Sequence, residues 1–178
     1  MFGYFATLYL AERTPKISRL VLSSQVCVNM VPIFTSLLYW RNLRAFRARM
    51  GPEMGILVIL QLLDHCKSIT ELRLQGTMME REASCIVEGF PKLEKLDISE
   101  STLSCNALEI VLDGRLKCVK EISILHSKII GDDGKDIRED YAKLKGFKNK
   151  VLERASGLKS LKKLMHCLVK TCPDCEVY

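Results

Sequence analysis

Ile69-Thr-Glu-Leu72-Arg-Leu74 sets apolar residues at the first, fourth and sixth places of a hexamer. The same pattern recurs at Ile17-Ser-Arg-Leu20-Val-Leu22, Leu43-Arg-Ala-Phe46-Arg-Ala48, Leu93-Glu-Lys-Leu96-Asp-Ile98 and Val119-Lys-Glu-Ile122-Ser-Ile124. The starts fall at residues 17, 43, 69, 93 and 119, spaced by 26, 26, 24 and 26. One such hexamer arises readily by chance, but five in near-constant register define a repeat. The fourth and sixth places alternate with polar ones, as a short strand with one buried face requires. Trp40, Cys66, Phe90 and Leu116, each three residues before a hexamer, add a further apolar rung. Cys66 reads there as a packed thiol.

Between hexamers the period changes to that of a helix. Ile56, Leu57, Ile59, Leu60 and Leu63 form a stripe at spacings of three and four, as do Ala83, Ile86, Val87 and Phe90, then Leu108, Val111 and Leu112. Ser104 suits an N-cap, and Thr77 with Glu80 a capping box. Pro32 fits a first helical turn, where its missing N–H costs nothing. Residues from Tyr4 to Glu12 read as the tail of another repeat helix. A strand-plus-helix unit of this length cannot bury its apolar face alone, so neighbours must stack their strands into a parallel sheet. The expected fold is an α/β leucine-rich-repeat solenoid: a short curved parallel sheet on the concave side and helices on the convex side. Residues 1–130 hold about five units of ~26 residues. Residues 131–178 make a loop and a helical C-terminal cap, in which Leu144, Phe147, Val151, Leu152 and then Leu158, Leu161, Leu164, Met165 and Leu168 predict two helices broken near Gly157.

Composition fits one globular domain: 178 residues, 48% hydrophobic and 27% charged. No apolar run reaches the 18 or more residues of a membrane span, so no membrane association is expected. Residues 2–11 faintly resemble a signal-peptide core, but no basic residue precedes them. The eight cysteines read more simply as thiols in a reducing compartment, the cytoplasm or nucleus. The net charge of +6 is unevenly laid out. Residues 1–49 carry +6, residues 50–142 carry −6, and residues 143–178 again carry +6. Nucleic-acid binding wants cations interleaved with stacking aromatics, and the run from Lys143 to Lys163 offers only Phe147. That run is expected to be a solvated helical surface, with nucleic acid not the partner.

Chemistry finds little support. His166-Cys167 with Cys172-Pro-Asp-Cys175 supplies soft ligands at a spacing compatible with zinc. The same letters fit a repeat end in which Leu168 and Cys172 pack and Pro173 stops a helix, and no second Cys-x-x-Cys completes a ribbon. The expectation is no metal and no cofactor. Asp132-Asp133-Gly134-Lys135-Asp136 fails the glycine and glutamate spacing of an EF-hand loop and reads as solvated. His65, His126 and His166 stand isolated, outside any nucleophile or H-E-x-x-H motif, and no phosphate loop is present. The chain is not expected to be an enzyme.

Asp64-His-Cys66-Lys-Ser-Ile69-Thr-Glu-Leu72-Arg-Leu74 resembles the cysteine-containing class of leucine-rich repeat. Ala11-Glu-Arg-Thr-Pro15-Lys-Ile-Ser-Arg-Leu20-Val-Leu22, Trp40-Arg-Asn-Leu43, Phe90-Pro-Lys-Leu93-Glu-Lys-Leu96-Asp-Ile98 and Asn106-Ala-Leu108-Glu-Ile-Val-Leu-Asp-Gly114 are similar to the repeat region of plant F-box/LRR-repeat proteins. The resemblance spans roughly residues 8–130. It implies that the repeats select a substrate for an SCF-type ubiquitin ligase, to which an N-terminal F-box would dock them. Only sixteen residues precede the first hexamer, so SCF components are expected as partners only if an F-box is supplied elsewhere. The alternative is a repeat scaffold unrelated to ubiquitination, such as a fragment of a plant immune receptor.

Such repeats bind mainly through the concave strand face, where equivalent residues of strands ~4.8 Å apart form rows. The rows are Val21, Arg47, Arg73, Asp97, Ser123; then Ser23, Arg49, Gln75, Ser99, Leu125; then Arg19, Ala45, Glu71, Lys95, Glu121. The candidate partner-binding residues are Arg47, Arg49, Glu71, Arg73, Gln75, Lys95, Asp97, Ser99 and Ser123. Arg47, Arg49 and Arg73 offer planar donor forks suited to an acidic segment of a protein partner. Equally, Arg47 and Arg73 can pair with Glu71 and Asp97 on an ordinary solvated sheet.

Overall fold

The computed structural model describes residues 4–22, 31–51, 54–169 and 172. The five hexamers form parallel neighbours in one sheet: β1 (Arg19–Val21), β2 (Ala45–Arg49), β3 (Glu71–Gln75), β5 (Lys95–Asp97) and β7 (Glu121–Ile124). A sixth strand, β9 (Lys163–His166), extends the sheet beyond β7. The register puts the fourth hexamer position in one continuous row, Leu20, Phe46, Leu72, Leu96 and Ile122, which Leu164 continues. Phe46, Leu72, Leu96 and Ile122 are buried, and each contributes on the order of 1.5–3 kcal/mol by leaving water.

One hydrogen-bond pair marks every step between strands. Arg44 and Ala45 donate their N–H groups to Ser18 O; Thr70 and Glu71 do so to Arg44 O, Glu94 and Lys95 to Thr70 O, and Lys120 and Glu121 to Glu94 O. Lys162 and Lys163 repeat the pair on Lys120 O, so β9 enters as the earlier strands do.

A second, three-stranded parallel sheet stacks β4 (Thr77–Met78), β6 (Thr102–Ser104) and β8 (Lys128–Ile130). The helices α1 (Tyr4–Arg13), α2 (Val31–Leu37), α3 (Met54–His65), α4 (Glu80–Gly89), α5 (Cys105–Val111) and α6 (Tyr141–Gly157) alternate with the strands of the large sheet, each packed on the next. The architecture is mixed α/β with parallel sheets and, among the described residues, six α-helices. None of them is long and apolar enough to cross a membrane.

Several local expectations hold. Trp40, Cys66, Phe90 and Leu116 are buried, and Pro32 stands in the first turn of α2. Ser104 caps α5, its hydroxyl accepting from the Ala107 N–H at 2.9 Å. Others need correction. Thr77 belongs to β4 and does not cap α4; there Glu82 reaches back to accept from the Met79 N–H at 3.0 Å. The buried stripe of α3 is Gly55, Val58, Ile59 and Leu62, leaving Leu57 and Leu60 exposed: the apolar content of this helix exceeds one face, so spacing alone did not fix its rotation. The first helix expected after residue 136 forms as α6, preceded by a short 3-10 turn at Ile137–Glu139. The second does not. Leu158 to Leu168 fit helical spacing, but Leu161, Leu164 and His166 occupy the hexamer positions of a strand, and pairing with β7 satisfies that backbone instead.

Candidate functional site

A concavity of about 260 Å³ lies on the face of the large sheet, lined from Arg19 in β1 to Met165 in β9. Strand alternation sends the residues between the buried apolar positions into it. Arg47 and Lys95 are exposed there, Glu71, Arg73 and Asp97 are half-buried, and Arg49 is exposed outside the lining. Gln75, Ser99 and Ser123, expected to project to solvent, are only 7%, 5% and 4% exposed. For the two serines this burial goes with local hydrogen bonding. Ser99 Oγ and Ser123 Oγ lie 2.7 Å apart, and Ser99 Oγ also accepts from the Leu125 N–H at 3.1 Å. A buried hydroxyl so engaged fastens two turns of chain. Of the nine candidates, Arg47, Glu71, Arg73, Lys95, Asp97 and Ser123 line the concavity, and Arg49 is exposed outside that lining.

Charges on this face run in cross-strand pairs. Arg19 Nη2 lies 3.1 Å from Glu71 Oε2, and Lys95 Nζ 3.7 Å from Glu121 Oε1. Arg73 Nε is 3.1 Å from Asp97 Oδ2, buried and within ion-pair distance but out of line for a hydrogen bond. Arg73 Nη2 stands 3.6 Å from Glu100 Oε1, whose other oxygen is 3.2 Å from Arg49 Nη2. Strand alternation does not reach Glu100, which sits in the turn after β5, at φ 55°. Arg47 has no ion-pair partner among the described residues. The two readings of the arginine cluster therefore divide: Arg73 is paired on the sheet, and Arg47 is the exposed cation beside it. No acidic residue lies in β1 or β2, so this end of the face is basic.

The C-terminal lysines are partly engaged elsewhere. Lys143 meets Asp133 at 2.6 Å, and Lys150 and Arg154 both bind Glu109. Ser23 of the second row lies outside the described residues. Cys175 and Pro173 do too.

His126 is not isolated, as the sequence suggested. It lies against Cys167 and Cys172, with one ligand atom from each within 4.8 Å of the others. Residues 41 and 46 positions away meet it because β9 pairs with β7, a contact no local motif announces. His166 is not part of this group; its Nδ1 accepts from the Leu168 N–H at 3.4 Å, and burial followed by Lys148 pushes its pKa down.

No family model matches the sequence. The chain is similar to an F-box/LRR-repeat protein of Arabidopsis thaliana, 24% identical over 169 residues and covering 94% of this chain. It spans about half the length, 53%, of that curated relative. Among solved structures it is similar to actin-binding site 2 of leiomodin-1, with a TM-score of 0.43 and 8% identity over 93% of this chain and 80% of that one.

Proposed function

We propose that the chain is a leucine-rich-repeat solenoid that recognises a protein partner through the face of its large sheet and carries out no chemistry itself. Supporting this reading is the in-register row from Leu20 to Leu164, beside which Arg47 is left exposed without a countercharge among the described residues. Such an unpaired arginine at the basic end of the sheet suits a partner's acidic segment, because its guanidinium presents a planar donor fork to a carboxylate. The similarity to an F-box/LRR-repeat protein extends the proposal to substrate selection for an SCF ubiquitin ligase in the cytoplasm or nucleus. Affinity capture from plant extract tests the ligase setting: recovery of the F-box adaptor and cullin supports it. Their absence with other partners retained leaves a repeat scaffold that works outside ubiquitination.

A further inference from the structure

Three successive units of the large sheet, those of β3, β5 and β7, have a positive φ at the same place after the strand. Gly76 takes φ 149° after β3, Glu100 takes φ 55° after β5, and His126 takes φ 56° after β7. The left-handed backbone recurs in these three units, and the side chain at this position differs among them. Glu100 uses it to reach Arg49 and Arg73. His126 uses it to face the chain leaving β9. Its Nδ1 lies 3.8 Å from Cys172 Sγ, and its backbone N–H donates to Cys167 Sγ at 2.7 Å.

We propose that His126 Nδ1, Cys167 Sγ and Cys172 Sγ bind a zinc ion. In a tetrahedral site with bonds of ~2.0–2.3 Å, neighbouring ligand atoms stand roughly 3.5–3.8 Å apart. The three atoms here already lie within 4.8 Å of one another, so about an ångström of closure completes three corners. Two thiols and an imidazole are soft donors that select zinc over magnesium or calcium. The N–H aimed at Cys167 stabilises the thiolate that a metal requires. On binding, the two thiol protons pass to solvent and the cysteines keep their oxidation state. A fourth corner remains for water or another donor.

The position suggests what the ion does. Among the described residues β9 pairs only with β7, and its four side chains are half-buried or exposed. Zinc between His126 and Cys167 fastens that edge strand to the turn after β7, adding a clasp to a strand with no fully buried side chain.

The test uses the full chain purified under reducing conditions, titrated with zinc and with cobalt(II) as a spectroscopic substitute. Expected are one zinc per chain, tetrahedral cobalt d–d bands with a sulfur-to-metal charge-transfer band, and slower amide exchange at residues 163–166 once zinc is bound. His126→Ala, Cys167→Ser and Cys172→Ser each weaken zinc binding by about tenfold or more. Cys118→Ser, at an exposed thiol, leaves it unchanged. Absence of stoichiometric zinc, a cobalt spectrum without charge transfer, or wild-type affinity in His126→Ala overturns the site. If the cysteine variants do not fold, the wild-type stoichiometry and cobalt spectrum decide the matter alone.

Discussion

Arg47 and Arg73 stand directly opposite each other in the β2–β3 ladder, and among the described residues only Arg73 has an acidic countercharge within reach. Two guanidinium groups one strand spacing apart repel, and Asp97 with Glu100 relieves one of them. The other remains available to a ligand carrying negative charge, which makes Arg47 the residue on which the recognition proposal turns.

The buried serines should carry stability and not binding. Ser99 Oγ serves both Ser123 Oγ and the Leu125 N–H, so Ser99→Ala strands a buried donor and should cost about 1–3 kcal/mol. Ser123→Ala removes one link only and should cost less. Urea unfolding of both variants checks the order; equal losses would contradict this hydrogen-bond network.

Gly76 combines φ 149° with a Cβ position 2.9 Å from Met50 O, a backbone atom that cannot swing away. Gly76→Ala should therefore destabilise by about 1–3 kcal/mol. Gly51→Ala, where nothing lies within 4 Å, should stay near zero in the same denaturation experiment.

Thiol reactivity should follow burial. Burial pushes the Cys66 thiol up to about 11, and burial with the nearby Asp132 and Glu109 carboxylates pushes Cys105 up to about 11. At pH 8 both remain protonated and poor nucleophiles, whereas Cys118 is exposed. Brief iodoacetamide treatment of the native protein should label Cys118 and spare Cys66 and Cys105 until denaturant is added, as peptide mass mapping would show.

Asp136 should make the end of the repeats acid-sensitive. Burial raises its pKa, but the Arg138 side-chain and backbone hydrogen bonds and the Arg138 charge outweigh that, holding the carboxyl below its usual range. A depressed folded pKa gives stability that is present above the unfolded value of ~3.9 and lost as pH falls through the folded one. Asp136→Asn should therefore lower the unfolding midpoint at pH 7, with the gap closing below pH ~4. A gap independent of pH would assign the loss to packing.

The five strands were legible because one alternating hexamer recurs at 24–26 residues and each strand must turn the same side chains inward. The sixth was hidden by distance. Its hexamer starts at Leu161, 42 residues after Val119, because α6 intervenes; its last core place holds His166; and its leucines also satisfy helical spacing. The small second sheet escaped notice for want of length, with two or three residues to a strand. Of the sheet face, strand alternation located the arginines, Lys95, Glu71 and Asp97. It overstated the exposure of Ser99 and Ser123, whose hydroxyls meet each other across the sheet. The convergence of His126 with Cys167 and Cys172 exists only once β9 has paired with β7.

Fluorescence anisotropy with a labelled glutamate-rich decapeptide tests the recognition face most directly, comparing the wild type with Arg47→Glu and with Arg81→Glu, an exposed charge on α4. Arg47→Glu should weaken peptide binding by about tenfold or more without lowering the thermal midpoint, and Arg81→Glu should bind as the wild type does. Equal affinity for wild type and Arg47→Glu would contradict the assignment of the sheet face as the docking surface.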